Sequence, residues 1–140
     1  MNISGETTAG IGAAKAFEAA SDVDSAIQRY EALLESLANN DHDAAVVLHL
    51  LAIAVEDPVR KLALNEEALR RAEAVPDSGF PKQMFASLYA NVGYARIGLG
   101  DLDAARECYR KAETIAAALD DDDYGRMVRS EIQKRLADLE

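Results

Sequence analysis

The run Asp120-Asp121-Asp122-Asp123 is the densest group of side chains able to hold a cation. Counted from Asp120, it approximates a calcium loop. Asp120 and Asp122 take the first and third positions, Gly125 the sixth, Met127 the apolar eighth and Glu131 the twelfth. Tyr124 breaks the pattern at the fifth position, where an oxygen ligand is required, and Arg126 and Arg129 would bring positive charge to the ion. The run therefore reads as a solvated acidic turn whose aspartates cap the next helix and favour its dipole. No metal site is expected. The other reactive groups are sparse. His42 and His49 lack the His-Glu-x-x-His spacing of a zinc helix. Cys108, the single cysteine, has no CxxC partner and beside Tyr109 reads as a buried structural thiol. No glycine-rich phosphate loop follows a strand, and basic residues do not interleave with aromatics as a base-stacking surface demands. These absences predict a protein that is not an enzyme and carries no cofactor.

The elements that carry these groups follow from composition and punctuation. The chain has 140 residues, enough for one domain without a metal or disulfide staple. Ala and Leu dominate, Trp is absent and β-branched runs are short, which predicts helices. The net charge is -10 and is concentrated early, with ten acidic and three basic side chains in residues 1–60. Such a surface repels phosphate backbones, so nucleic acid is not an expected partner. It favours solubility and basic partners, and a merely solvated acidic surface fits equally. The longest apolar run, Ala44 to Val55, is interrupted by His49 and is too short for a membrane helix. The first residues lack a basic stretch followed by an apolar one, so no signal peptide is expected and the cytoplasm is the expected location.

An internal repeat organises the chain. Ser21-Asp22-Val23-Asp24-Ser25-Ala26 parallels Gly100-Asp101-Leu102-Asp103-Ala104-Ala105, 79 residues later, and each is followed by a tyrosine, Tyr30 or Tyr109. The offset is twice a period of about 40, typical of helix-pair repeats. A middle copy falls near residues 60–72, where Leu62-Ala63-Leu64 and Ala68-Leu69 continue a helical apolar pattern. Asp22 and Asp101 are good N-caps, and Asp57-Pro58 combines a cap with a proline at the first helical turn. Asn39-Asn40-Asp41, the stretch Val75 to Gly79, and Gly98 with Gly100 mark breaks. The pattern predicts seven helices, about 6–20, 23–38, 43–55, 58–74, 82–98, 102–119 and 123–138. The first six form pairs over about 6–38, 43–74 and 82–119. The last, with Tyr124, Met127, Val128, Ile132, Leu136 and Leu139 on one stripe, is a terminal cap.

The third pair resembles the tetratricopeptide repeat family. Tyr89-Ala90-Asn91-Val92-Gly93 has the bulky-x-x-apolar-Gly start, and Gly100-Asp101-Leu102, Ala105, Tyr109 and Ala112 fall at the family's spacing. Gly93 and Ala105 let the helices approach closely, with Tyr89, Val92 and Tyr109 filling the space around the crossing. Leu at 93 should overpack that crossing, whereas Ala, the better helix former, is expected to be mild. The first pair matches with Ala14, Phe17, Ala26, Tyr30 and Leu33. The second departs, with Asn65 where an aromatic is usual and a turn shortened before Asp57 if Leu51-Ala52 is the apolar-small pair. Arg96 also stands where an aromatic is common in the third.

The resemblance implies an all-α fold, a single domain over residues 1–140 in which antiparallel helix pairs stack into a right-handed superhelix. It also implies a concave face lined by the first helix of each pair. By position that face holds Ile11, Lys15 and Glu18, then Val46, His49 and Ile53, then Ser87, Ala90, Asn91, Tyr94 and Ile97. For His49 a groove contact and a satisfied half-buried histidine both fit. A carboxylate clamp would need several basic residues there, and only Lys15 is present, with Asn91 as an amide contact. The expected function is non-enzymatic: a protein–protein interaction scaffold, monomeric or weakly self-associating, that binds a peptide or protein with apolar anchors and no nucleic acid or membrane. A small acidic secretion-type chaperone and a self-associating structural module are the alternatives.

Overall fold

The computed structural model describes residues 3–76 and 82–140, with the side chains of 82 and 83 outside that set. Of the expected loop from Val75 to Gly79, residues 77–79 lie outside the described residues. Seven helices follow one another: α1 Gly5–Ala19, α2 Val23–Glu35, α3 Asp41–Ala54, α4 Pro58–Glu73, α5 Lys82–Gly98, α6 Leu102–Ala116 and α7 Asp123–Leu139. No strand occurs among the described residues. Every expected helix is present, and α2 and α6 stop about one turn before their expected ends.

Their starts are set by side-chain caps. Asp22, Asn40, Asp57, Asp101 and Asp122 each accept a hydrogen bond from the backbone N–H three residues on, satisfying a donor that has no partner within its helix. The ends of α1 and α5 share one device. Ser21 and Gly100 have positive φ, 61° and 78°, and the chain turns through the left-handed region there. Asp22 N–H then bonds Phe17 C=O at 2.8 Å and Asp101 N–H bonds Arg96 C=O at 3.0 Å, closing the same reversal in both copies. The α3–α4 connection lacks this residue. Val55 is extended and Asp57 caps directly, which is the shortened turn expected from the sequence.

The helices group into two compact units, Met1–Phe80 and Pro81–Glu140. In the first, α1 packs on α2, α2 on α3 and α3 on α4. Ala14 and Ala26 are fully buried at the α1–α2 crossing, and Tyr30, Leu37, Val47, Leu51 and Val55 fill the core around them. In the second, α6 packs between α5 and α7. Tyr109, Ala112 and Ala116 of α6 meet Ala86 of α5 and Val128, Ile132 and Leu136 of α7.

Helix C-termini are closed by cations borrowed from other helices. None of α2, α3, α6 and α7 has a basic residue in its own last turn. Arg71 of α4 donates to the carbonyls of Leu37 and Ala38 after α2, and its Nε pairs with Asp41. Lys61 of α4 donates to Ala52 and Ile53 at the end of α3. Arg129 of α7 donates to Ala116 and Leu119 at the end of α6, and Arg106 of α6 donates to Leu139 at the end of α7. Each cation meets the negative end of a helix dipole and the carbonyls there, of which those of Leu37 and Ala116 also accept from the backbone N–H three residues on.

Candidate functional site

Within the second unit, α5 and α7 flank a groove of about 330 Å³. Its α5 wall is Ser87, Ala90 and Asn91, spaced three and four residues apart and so on one helical face. Its α7 wall is Met127, Val128, Glu131 and Ile132. The helix geometry behind this is simple. The residues of α7 that meet α6 are Val128, Ile132 and Leu136, while Met127 and Glu131 lie one step round the cylinder. The floor is therefore core side chain and the walls are surface side chain.

Two exposed aromatics lie at the groove. Tyr124 OH is 2.9 Å from Ser87 Oγ, a bond that links the start of α7 to α5. Tyr94, one turn beyond Asn91, is 53% exposed, and the Arg135 guanidinium lies 5.1 Å from its ring centroid. Arg135 also donates to Glu131 at 3.0 Å. Met127 is 61% exposed, a large apolar side chain held at the edge of the cavity. The site can bind apolar groups by burial and polar groups through the Ser87, Asn91 and Glu131 side chains.

Of the residues expected on the concave face, Ser87, Ala90 and Asn91 line this groove and Tyr94 stands beside it. Ile97 packs against the core of the same unit instead. In the first unit Ile11 is part of the core and Val46 packs against it, His49 is half-buried, and Lys15 is exposed. Ile53 is 62% exposed. Burial pushes the His49 imidazole below its usual pKa. The sequence does not predict the α7 wall, because the apolar stripe of α7 reads as a terminal cap. Its signal was the pair Tyr124 and Met127, which fall at the edge of the apolar stripe where a cap would place polar residues.

The acidic run does what its capping reading required. Asp122 caps α7 through Gly125 N–H at 2.7 Å, and Arg126 pairs with Asp121 and Asp123. Among the described residues no group of three or more His, Cys, Asp or Glu side chains is arranged to hold a metal ion. Cys108 is half-buried on α6.

One polar cluster was not anticipated. Asp43, buried at the start of α3, accepts from Ser4 N–H at 3.0 Å and Thr7 Oγ1 at 2.7 Å, and lies 2.8 Å from His42 Nδ1. Burial alone would raise its pKa. The bonds from His42, Ser4 and Thr7 outweigh burial and hold the carboxyl at about 2. The cluster ties the start of α1 to the start of α3. Both hydroxyls of the cluster are engaged within it, Ser4 Oγ accepting from Thr7 N–H and Thr7 Oγ1 donating to Asp43.

No protein-family profile matches the chain, and no curated protein matches its sequence. Solved structures do match its fold. BtubC (BKLC) from P. vanneervenii superposes with a TM-score of 0.74 at 21% identity, over 80% of this chain and 47% of that one. The chain thus spans about half the length of that neighbour. PcrH, solved in complex with the chaperone binding region of PopD, gives 0.63 at 20% identity over 99% of this chain and 94% of that one. The Sgt2 TPR domain from Aspergillus fumigatus gives 0.57 at 20% identity, over 96% and 82%. The fold is a tetratricopeptide-like helical repeat. α5 and α7 both pack on α6, which is why they together flank a groove.

Proposed function

We propose that this tetratricopeptide-like chain is a non-enzymatic protein-interaction domain that holds a peptide segment of its partner in the α5–α7 groove. The observation that carries this reading is the groove itself, apolar at its floor, lined by Ser87 and Asn91 and flanked by the exposed Tyr94 and Met127. Exposed aromatic and methionine side chains beside a small apolar cavity are the composition of binding hot spots. The α3 face with Val46, His49 and Ile53, and Lys15 on α1, is proposed as a second contact region, with residues 1–140 acting as one domain. The proposed setting is the cytoplasm, and the proposed state a monomer or weak homo-oligomer with no nucleic-acid or membrane partner. No helix among the described residues is long and apolar enough to cross a membrane.

The test is a pull-down from native lysate, wild type against Asn91→Ala with Tyr94→Ala. The double variant should keep its helical spectrum and lose the partner that the wild type captures. Unchanged capture, or a loss of several kcal/mol of stability, would place these residues outside any binding surface.

A second reading is favoured by the likeness to PcrH, which extends over almost the whole of both chains. On that reading the chain is a small acidic chaperone that keeps a partner segment from aggregating. Co-expression decides it, since a chaperone raises the soluble yield of its captured partner and a plain scaffold does not.

A further inference from the structure

We propose that the α5–α7 groove selects a short segment in which an aliphatic anchor is followed or preceded by a basic side chain, with Glu131 recognising that charge. The inference rests on the reading that the groove binds peptide, and it adds which peptide. The volume, about 330 Å³, sits at the low end of the ~300–1,000 Å³ range of ligand pockets. It accepts one or two side chains rather than the whole face of a helix. Ala90, Val128 and Ile132 give that space an aliphatic floor. Glu131 is the one ionisable group among the described lining residues.

The charges around Glu131 leave it able to take a second cation. Its side chain is 53% exposed, and Arg135 engages it through Oε1 alone. Oε2 accepts no hydrogen bond from the described residues. Arg135 is itself held over the Tyr94 ring, so the guanidinium is committed on both sides. No described lining residue is cationic, which leaves a peptide carboxylate or an acidic flank without a counter-charge. The second unit, residues 81–140, holds eleven acidic and nine basic side chains, so its own field favours basic segments only slightly and the selection falls to Glu131. Apolar floor and one available carboxylate together specify an aliphatic-plus-basic segment over a neutral or acidic one.

The experiment is selection of short linear peptides from a random display library on three full-length proteins: wild type, Glu131→Lys and the groove-filling Ala90→Trp. Ser87→Phe replaces Ala90→Trp should the latter lose its helical spectrum. Wild type should enrich aliphatic residues flanked by Lys or Arg, and Glu131→Lys should enrich the same aliphatics flanked by Asp or Glu. Lys and Glu versions of the best wild-type peptide, compared by fluorescence anisotropy, should differ about 5-fold in affinity, the scale of one exposed ion pair. The difference should shrink at high salt. Equal affinity of the two versions, or no change of preference in Glu131→Lys, overturns the charge selection while leaving the groove as a peptide site. Binding that survives Ala90→Trp, or a library that yields no binder, overturns the peptide reading and this inference with it.

Discussion

The Tyr109 ring lies so close to Gly93 that a Cβ at residue 93 would stand 2.8 Å from Cε2 and 2.9 Å from Cδ2. Tyr109 is buried and cannot swing aside. Gly93→Ala is therefore predicted to cost ~1–3 kcal/mol, despite the helix-propensity gain of ~1 kcal/mol that Ala brings. The mild effect expected from propensity alone gives way to this contact. Gly93→Leu should cost more. Urea midpoints measure both, and Tyr109→Leu in the Gly93→Ala background should recover part of the loss.

Ser21 holds the left-handed conformation that its counterpart Gly100 adopts freely. An L-residue there bears ~1–2 kcal/mol of steric cost that glycine does not. Ser21→Gly should raise thermal stability by about 1 kcal/mol, and Gly100→Ala should lower it by a similar amount. Calorimetry on the two variants checks the pair, and a destabilised Ser21→Gly would mean that the Ser21 side chain contributes more than its backbone costs.

Asn65 occupies the position that Tyr30 and Tyr109 fill in the other two pairs. It is 5% exposed, and its Oδ1 has no hydrogen-bond partner among the described residues. An unsatisfied buried acceptor costs ~1–3 kcal/mol, and an apolar group of similar shape removes that cost. Asn65→Leu should raise the urea midpoint. Asn65→Asp, which adds a charge to the same place, should lower it well below wild type.

Asp43 makes stability depend on acid. Its folded pKa, about 2, lies below its ordinary value of 3.8, so the stabilisation is complete above about pH 4 and is lost as pH falls through 2. The full contribution is about 2 kcal/mol. Asp43→Asn should be less stable at neutral pH and show a flatter decline between pH 4 and 2 in acid titrations followed by circular dichroism. Tyr30 and Tyr109 act at the other extreme. Burial lifts both to about 12, with Glu18 adding to the effect at Tyr30, so their contribution is intact below pH 10 and vanishes as pH rises through 12.

Much of this architecture is legible in the residues. Aspartate caps, the proline after Asp57, the glycine before Asp101 and small residues at the crossings act locally, so sequence alone locates the helices and the pairs. The groove is only half legible. Ser87 and Asn91 share a face at helical spacing. Met127 and Glu131 become its opposite wall only because α7 packs on α6 through Val128 and Ile132, and which flank of a stripe stays open is a property of packing. The Ser4–Thr7–Asp43 cluster joins residues more than thirty positions apart, and no local pattern announces it. The borrowed cations are hidden for the same reason, since Arg71 and Leu37 are 34 residues apart.

The exchange between α6 and α7 has a consequence for how this chain can vary. Arg129 reaches the end of α6, and Arg106 reaches the end of α7. One residue inserted within either helix would turn its terminus by about 100° and advance it ~1.5 Å, carrying the last carbonyls away from the guanidinium that holds them. Each helix thus measures the other, like two rulers laid head to tail. Single-residue insertions and deletions should be rejected within the two helices, and a change of length in one should be tolerated only with a matching change in the other.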